Sequence, residues 1–331
     1  MIAALLQRFS QPEGSAADGL AIARRRRGFL FMGLGIVAVL VIGGLTTPSF
    51  LSFENLLVVI RAASITGIIA LGMSYITISG NLFALSAEEL AILAACIFAF
   101  LMRDGYGLVI ALTVTLIFAG ASGAIQGGVI SLGGDPIITT LAFGALFRGF
   151  ASLVSNNKNI LLGTKAAEWL GTGRPLGVPT QSWAFVILTL VAWFVLQRTR
   201  FGRQLILIGA NRLAAKASGL RVGQASIVAL TLFGVCCGLA GIFAAAQFGL
   251  AVANLFSGLT IDVIAAILVG GIPLRGGQGL PVQAALGAVF IALLQNFMLL
   301  HSFTTGERML VIGSLVALAT VGFHLLQKRQ G

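Results

Sequence analysis

One hydrophobic stretch of the chain is interrupted by small polar side chains. Residues 76–86 read ITISGNLFALS, which places hydroxyl and amide groups and one aromatic ring between two apolar segments. Unwound backbone at membrane depth is tolerated only beside protein or a cavity. Such groups can hydrogen-bond a neutral, hydroxyl-rich solute, although a simple turn between two helices would use the same residues. The candidates for a solute pathway are Ser79, Gly80, Asn81, Phe83 and Ser86.

Ionisable side chains inside apolar segments are the second source of possible chemistry. A charge in hydrocarbon is costly, and such a group usually faces the bundle interior or a water-filled path. Asp262 is the strongest candidate for the solute pathway, because it opens the apolar run 263–269. The structural alternative is that Asp262 caps the N-terminus of a helix. The further candidates, each with a structural alternative at the interface or between helices, are Arg61, Glu88, Glu89, Arg148, Gln295 and Asn296.

A basic connection separates two long hydrophobic runs. Residues 198–223 read RTRFGRQLILIGANRLAAKASGLRVG and hold six of the 21 basic residues but no acid. Helix formers between Asn211 and Leu220 predict a short helix that stops at Gly219. The inside-positive rule accounts for the arginines at 198–203 without any further role. It does not account for the small residues that favour close packing against a partner, which are Ala214, Ala215, Ser218 and Gly219.

Signatures of catalysis and of nucleotide or metal binding do not occur in the sequence. The phosphate-binding pattern G-x-x-x-x-G-K-[ST] is missing, and the glycine-rich stretch 270–279 lacks its Lys-Ser/Thr pair. The two histidines are too scattered for a metal site, and the three cysteines lie in apolar runs without ligand spacing. We therefore expect no catalytic residue, no metal and no cofactor on this chain, and we expect that it is not an enzyme.

Composition places the chain in a membrane. Of its 331 residues, 58% are hydrophobic and 9% are charged, whereas about a quarter of a soluble domain is charged. The net charge of +11 lies mostly in short loops, so orientation in the membrane explains it better than nucleic-acid binding does. We predict an all-α, polytopic membrane protein that is surrounded by lipid.

About ten transmembrane helices are predicted from hydrophobic length. Placing both termini in the cytoplasm puts 14 Lys and Arg inside and five outside. The domains are then a cytoplasmic tail 1–28, one transmembrane domain 29–326 that includes the loop 198–223, and a tail 327–331. The segment 260–273 is a candidate for a broken or re-entrant helix, and eight or nine spans with a re-entrant piece are the alternative. The ten segments are 29–46, 56–79, 85–102, 107–130, 137–154, 182–197, 224–247, 260–273, 282–300 and 309–326.

Four stretches of the chain carry a family pattern. Residues 72–80, GMSYITISG, are similar to a G-M-T-x-V-I-x-T-G segment. Residues 136–149 contain a P-x-x-x-T-L element and a later R-G element. Residues 199–219 resemble a coupling loop, and DVIAAILVGG at 262–271 matches D-x-I-A-A-x-x-x-G-G, a match that includes the later Gly276, Gly277 and Gly279. In this order, the four stretches resemble the membrane permease subunit of ribose-type ABC importers, the second carbohydrate-uptake class.

The resemblance implies a translocation pathway for ribose or a related pentose or hexose, in the bacterial inner membrane. It implies cytoplasmic ABC ATPase subunits that bind ATP and Mg, a periplasmic solute-binding protein, and a second permease copy in a homodimer or heterodimer. A secondary transporter or facilitator of small polar solutes is the alternative, and it is disfavoured because acids suited to ion coupling are few. The residues implied to couple to the ATPase are Gly209, Asn211, Arg212, Ala214, Ala215, Ser218 and Gly219.

The chain departs from the family pattern in two places. The family usually continues its T-G with G-I-D-L-S-x-G, whereas residues 81–86 read NLFALS and contain no acid. Its coupling loop usually has an acid after the asparagine, where this chain has Arg212. The first departure argues against transferring ribose specificity, and the second predicts that the charge pairing with the ATPase differs or is absent.

Overall fold

The computed structural model describes residues 32–328, apart from residues 48, 157, 164–166, 253 and 254. The predicted tail 1–28 and residues 329–331 lie outside the described residues. The last helix continues through Lys328, two residues beyond the predicted end of the transmembrane domain.

Helices make up most of the described chain, as the sequence predicts. A two-residue antiparallel ladder pairs β1 (Ile160–Leu161) with β2 (Leu250–Ala251), and a 3₁₀ turn covers Pro175–Gly177. The helices are α1 (Met32–Thr46), α2 (Phe53–Ile78), α3 (Ala87–Arg103), α4 (Leu108–Ser131), α5 (Pro136–Ser155), α6 (Glu168–Thr172), α7 (Thr180–Arg198), α8 (Arg200–Ala210), α9 (Arg212–Ala217), α10 (Val222–Phe248), α11 (Leu259–Val269), α12 (Pro281–Leu300) and α13 (Thr305–Lys328).

The described helices confirm an all-α, polytopic membrane protein. Six of them, α2, α4, α5, α7, α10 and α12, are long and apolar enough to cross a membrane. Two further apolar helices, α1 and α11, are shorter. Each of the ten predicted segments coincides with a helix, but length and composition support fewer crossings, so the number of spans and the placement of the termini stay predictions.

Helices α2 and α10 form the centre of the bundle. The part of α2 from Gly67 to Ile78 is buried on every side, which is the pattern of a helix enclosed by others. Helix α10 packs against α4, α2 and α3. The outer helices instead expose large apolar side chains, including Ile117 on α4, Leu153 on α5 and Leu190 on α7. These faces suit contact with lipid, because a soluble surface rarely carries so much continuous apolar area.

Glycines let α4 approach α10 closely. A Cβ on Gly123 would overlap the carbonyl oxygen of Leu230, and one on Gly127 would lie 2.6 Å from the Cα of Ile227. Small residues at helix contacts are typical of membrane proteins, where close backbone packing replaces the hydrophobic effect between helices.

Replacing Gly127 with alanine is expected to lower the free energy of unfolding by about 1–3 kcal/mol, the usual cost of overpacking a filled interior. Gly128→Ala is the matched control, because a Cβ at the neighbouring position meets nothing within 4 Å. The thermal unfolding midpoint of the protein in detergent measures both changes. Equal midpoints for the two variants would contradict the close approach of α4 to α10.

The bundle has two distinguishable ends. Helix α7 leads directly into α8 and α9, and α10 follows them, so these helices mark one end, which we call the α8–α9 end. The last turn of α4 reaches the same end, where Ser131 lies beside Gly223 of α10. The opposite end holds α6 and the β1–β2 ladder. An ion pair of 3.7 Å between Glu54 and Arg174 also lies there.

Candidate functional site

The basic connection folds into two short helices. The Thr199 hydroxyl accepts a hydrogen bond from the Gly202 amide at 3.2 Å and begins α8. The Asn211 carboxamide accepts from the Ala214 amide at 3.0 Å and begins α9. Gly219, with a φ of 79°, follows the end of α9 in the left-handed region that glycine adopts without strain. The predicted short helix and its stop signal are therefore confirmed.

Sequence reasoning missed α8 as a separate helix. Its buried face consists of Gly202, Leu205 and Ile208, whose spacing of three residues is that of one side of a helix. The opposite face is exposed and carries Arg203 and Leu207. This periodicity in the sequence is the signal that identifies α8 as an amphipathic helix.

The small residues of α9 divide between its two faces. Ala214, Ser218 and Gly219 are exposed, so they remain available to a partner. Ala215 is only 5% exposed and packs within this chain, so it does not offer the partner contact that its size suggested. Leu213 is 82% exposed and is the large apolar side chain that sequence reasoning overlooked on this helix.

Four glycines form a close junction between α2, α8 and the loop after α11. The Gly277 amide donates to the Ile78 carbonyl oxygen at 2.8 Å, and a Cβ on Gly209 would overlap both of these groups. A Cβ on Gly276 would lie 2.6 Å from the amide nitrogen of Gly80. We call Gly80, Gly209, Gly276 and Gly277 the glycine junction. Three of these glycines, at 80, 276 and 277, have positive φ angles between 72° and 80°.

Three of the four stretches that carry the family pattern meet at the end of α2, and the fourth contacts the connection from α2 to α3. The glycine junction joins residues 72–80, 199–219 and 262–279. The fourth stretch contributes Thr140, whose hydroxyl accepts from the Leu85 amide at 3.0 Å. These segments are far apart in sequence, so their convergence is a property of the fold.

The interrupted stretch between α2 and α3 is an unwound, largely buried connection. Ser79 is buried and its hydroxyl donates to the Ile76 carbonyl at 2.7 Å, while the Ser86 hydroxyl donates to Gln126 Oε1 at 2.8 Å. Leu82 has a φ of 59°, and Phe83 is half-buried against the core. Gln126 was missed in the sequence, although a carboxamide inside an apolar helix is itself a signal.

Asp262 does not cap α11, which corrects the structural alternative raised by its position. The helix begins at Leu259, after Gly258 with a φ of 83°, so Asp262 lies at the end of its first turn. Its carboxylate interacts with the side chain of Gln295 on α12. The neighbouring Thr260 hydroxyl accepts from the Glu88 amide at 3.1 Å and joins the starts of α3 and α11.

The predicted solute-pathway residues therefore fall into two groups. Ser79, Gly80 and Asn81 lie at the glycine junction, whereas Ser86 precedes α3 near the start of α11. The junction contacts the loop that follows the end of α11, whereas Asp262 lies seven residues, or about 10 Å along the helix axis, before that end.

The remaining intramembrane amides have structural roles. Asn296 and Asn55 exchange two side-chain hydrogen bonds of 2.9 Å, which confirms the interhelical alternative for Asn296.

The residues that the structure describes contain no group of three His, Cys, Asp or Glu placed to hold a metal ion. The site thus consists of hydrogen-bonded helix ends together with two exposed basic helices, α8 and α9. Their exposed faces are suited to docking on a partner.

Comparison with known proteins identifies the class. A family model described as "Branched-chain amino acid transport system / permease component" matches residues 55–320, and the chain belongs to this family of transport permeases. It is a membrane subunit of a transporter and not an enzyme.

Individual relatives are import permeases. The chain is 30% identical to the ribose import permease protein RbsC of Escherichia coli (strain K12) over 293 residues, which cover 87% of this chain and 91% of the relative. It is 30% identical to RbsC of Bacillus subtilis (strain 168) over 88% of this chain and 90% of the relative. The autoinducer 2 import system permease protein LsrC of Shigella flexneri is 30% identical over 81% of this chain and 78% of the relative. No solved structure matches the chain.

Proposed function

We propose that this chain forms the translocation pathway of an ATP-driven sugar importer, with ribose or a related monosaccharide as the substrate. The observation that carries the proposal is the convergence of three of the four family stretches at the glycine junction, where α8 ends and α9 follows. In this proposal α8 and α9 dock on cytoplasmic ABC ATPase subunits, which bind ATP and Mg. A periplasmic solute-binding protein delivers the sugar, and a second permease copy completes the pathway.

The proposed orientation places the α8–α9 end in the cytoplasm of a bacterium, with the chain in the inner membrane. Six basic residues at 198–223 support this placement through the inside-positive rule. The proposal keeps ten spans with cytoplasmic termini. In that arrangement α11 acts as a broken helix, because its 11 residues extend only about 16 Å.

The two groups of predicted pathway residues receive different roles. Ser86, Phe83 and Asp262 are proposed to line the solute pathway, since the starts of α3 and α11 meet beside them. Hydroxyl-rich solutes are bound by hydroxyl groups together with carboxylate acceptors, which Ser86 and Asp262 carry. Ser79, Gly80 and Asn81 are proposed to belong to the coupling machinery, because they contact α8, α9 and the loop after α11.

A sugar is proposed over a branched-chain amino acid because the ribose import permeases match along nearly their full length. An amino acid carries both a carboxylate and an ammonium group, and a site for it needs a partner for each charge. Ser86, Phe83 and Asp262, the residues proposed to line the pathway, include no base, and the hydroxyl of Ser86 and the carboxylate of Asp262 suit hydroxyl groups better.

Uptake by the reconstituted importer tests the proposal. The chain is placed in proteoliposomes with an ABC ATPase and a solute-binding protein as its partners, and entry of radiolabelled ribose is measured with leucine as the comparison solute. We expect uptake that requires ATP and both partners, competition by monosaccharides, and no leucine entry. Entry of solute through the chain alone without ATP would instead establish a facilitator, and leucine transport without sugar transport would refute the substrate class.

A further inference from the structure

The buried carboxamide of Asn81 joins the ends of three helices. Asn81 is 2% exposed, and its Nδ2 donates to the hydroxyls of Ser79 and Ser226 at 3.0 Å each. Its Oδ1 accepts from Nη1 of Arg212 at 2.9 Å. Ser79 follows α2, Ser226 lies near the start of α10 and Arg212 begins α9. One side chain therefore connects α9 to the body of the bundle.

The guanidinium of Arg212 turns inward although its helix is exposed. Arg212 was expected to contact the ATPase, but its Nη1 hydrogen-bonds a buried group of the same chain. A hydrogen bond from a charged donor is stronger than a neutral one and is directional. The two positions that depart from the family pattern, the stretch after Gly80 and the residue after Asn211, are thus in direct contact.

Residue 81 also lies where the chain leaves α2. It is flanked by Gly80 with a φ of 80° and Leu82 with a φ of 59°, and the chain runs from here to Ser86 and the start of α3. The Arg212 guanidinium therefore contacts the beginning of the non-helical segment 79–86, which leads from α2 to the start of α3.

We propose that the Arg212–Asn81 hydrogen bond transmits movement of α9 to segment 79–86, which makes Arg212 a positioning residue for transport. The inference rests on the proposed function, because it takes α9 as the element that the ATPase moves. The proposal predicts that Arg212 affects coupling without affecting assembly, whereas a residue that docks on the ATPase would affect both. Losing this bond should impair coupling and leave assembly with the ATPase intact.

The test compares Arg212→Ala, Asn81→Ala and the double variant in the complete reconstituted importer. We expect each single variant to lower ATP-driven uptake about tenfold, and the double variant to be no worse than either one, because all three lack the same bond. Co-purification of the ATPase should equal that of the wild type. Arg221→Ala is the matched control, since it removes another exposed positive charge from the same connection but outside α8 and α9. Its uptake should be unchanged.

Two outcomes would overturn the inference. One is loss of ATPase co-purification with Arg212→Ala but not with Asn81→Ala, which would assign Arg212 to docking. The other is normal uptake by Asn81→Ala. Asn81→Asp distinguishes loss of the hydrogen bond from a folding defect in the alanine variant. It retains an acceptor for Arg212 and should retain uptake. Asn81→Asp combined with Arg212→Ala should lose uptake.

A measurement on the permease chain alone separates this inference from the proposed function. Arg212→Ala should increase amide hydrogen exchange in segment 79–86 about tenfold, and Arg221→Ala should not. Unchanged exchange in Arg212→Ala would refute the connection whether or not the importer transports a sugar. Absence of ATP-driven sugar uptake by the wild-type importer would refute the proposed function and leave the exchange result standing.

Discussion

Replacing Gly209 with alanine is expected to reduce ATP-driven uptake below about one tenth of the wild-type rate. The added Cβ would overlap the Ile78 carbonyl oxygen and the Gly277 amide, which are hydrogen-bonded to each other at 2.8 Å. Backbone atoms cannot rotate away as a flexible side chain can, so α8 must move from the end of α2. The cost of such overpacking is about 1–3 kcal/mol.

The result is measured as uptake in proteoliposomes together with the thermal unfolding midpoint of the detergent-purified chain. Gly149→Ala is the matched control, because a Cβ on this helical glycine meets nothing within 4 Å. It should leave uptake and the midpoint unchanged. Normal uptake by Gly209→Ala would show that the close contact of α8 with α2 is not needed for transport.

Replacing Leu213 with glutamate is expected to weaken binding of the ATPase by roughly thirtyfold or more. The side chain is 82% exposed, so the new charge does not disturb the fold of this chain. In a docked complex an apolar anchor at this position would enter a partner pocket, and an unpaired carboxylate there would carry a large desolvation cost. Affinity is measured with purified components, and membrane insertion is checked by expression in the membrane fraction.

The control for Leu213→Glu is Leu176→Glu at the opposite end of the bundle. Leu176 is 88% exposed and precedes α7, whereas Leu213 lies beyond the end of that helix. Leu176→Glu should bind the ATPase normally. Ala215→Glu is a poor test of docking, because Ala215 is buried and a charge there would disrupt α9 itself.

The helices of the bundle could be predicted from the sequence because hydrocarbon leaves the backbone few alternatives. Backbone amides and carbonyls in a bilayer must be satisfied internally, so each long apolar run becomes a helix. The end of α9 at Gly219 was predictable for a local reason, since glycine adopts the left-handed conformation at little cost.

The arrangement of the site could not be predicted, because it depends on contacts between distant segments. Nothing near Asn81 in the sequence indicates that its carboxamide accepts a hydrogen bond from Arg212, which follows 131 positions later. The glycine junction likewise depends on how α8 and the loop after α11 pack against α2. The glycines of that loop fit the family pattern, but nothing in their spacing indicates that two of them contact residues of α2 or α8.

Two local predictions were limited by uncertainty about helix starts and faces. Asp262 was considered as a cap because the apolar run begins after it, but α11 starts three residues earlier after a left-handed glycine. Ala215 was assigned to a partner contact from its size and from the resemblance of residues 199–219 to a coupling loop. Its position one residue after Ala214 turns it by about 100°, which is enough to place it on the buried face.

The most direct test of the central claim is photo-cross-linking from position 213 in the assembled importer. A benzophenone amino acid replaces Leu213 in one preparation and Leu176 in another, and the cross-linked products are identified by mass spectrometry. The account predicts a product with the ATPase from position 213 and none from position 176. A product with the ATPase from position 176 but not from position 213 would contradict it.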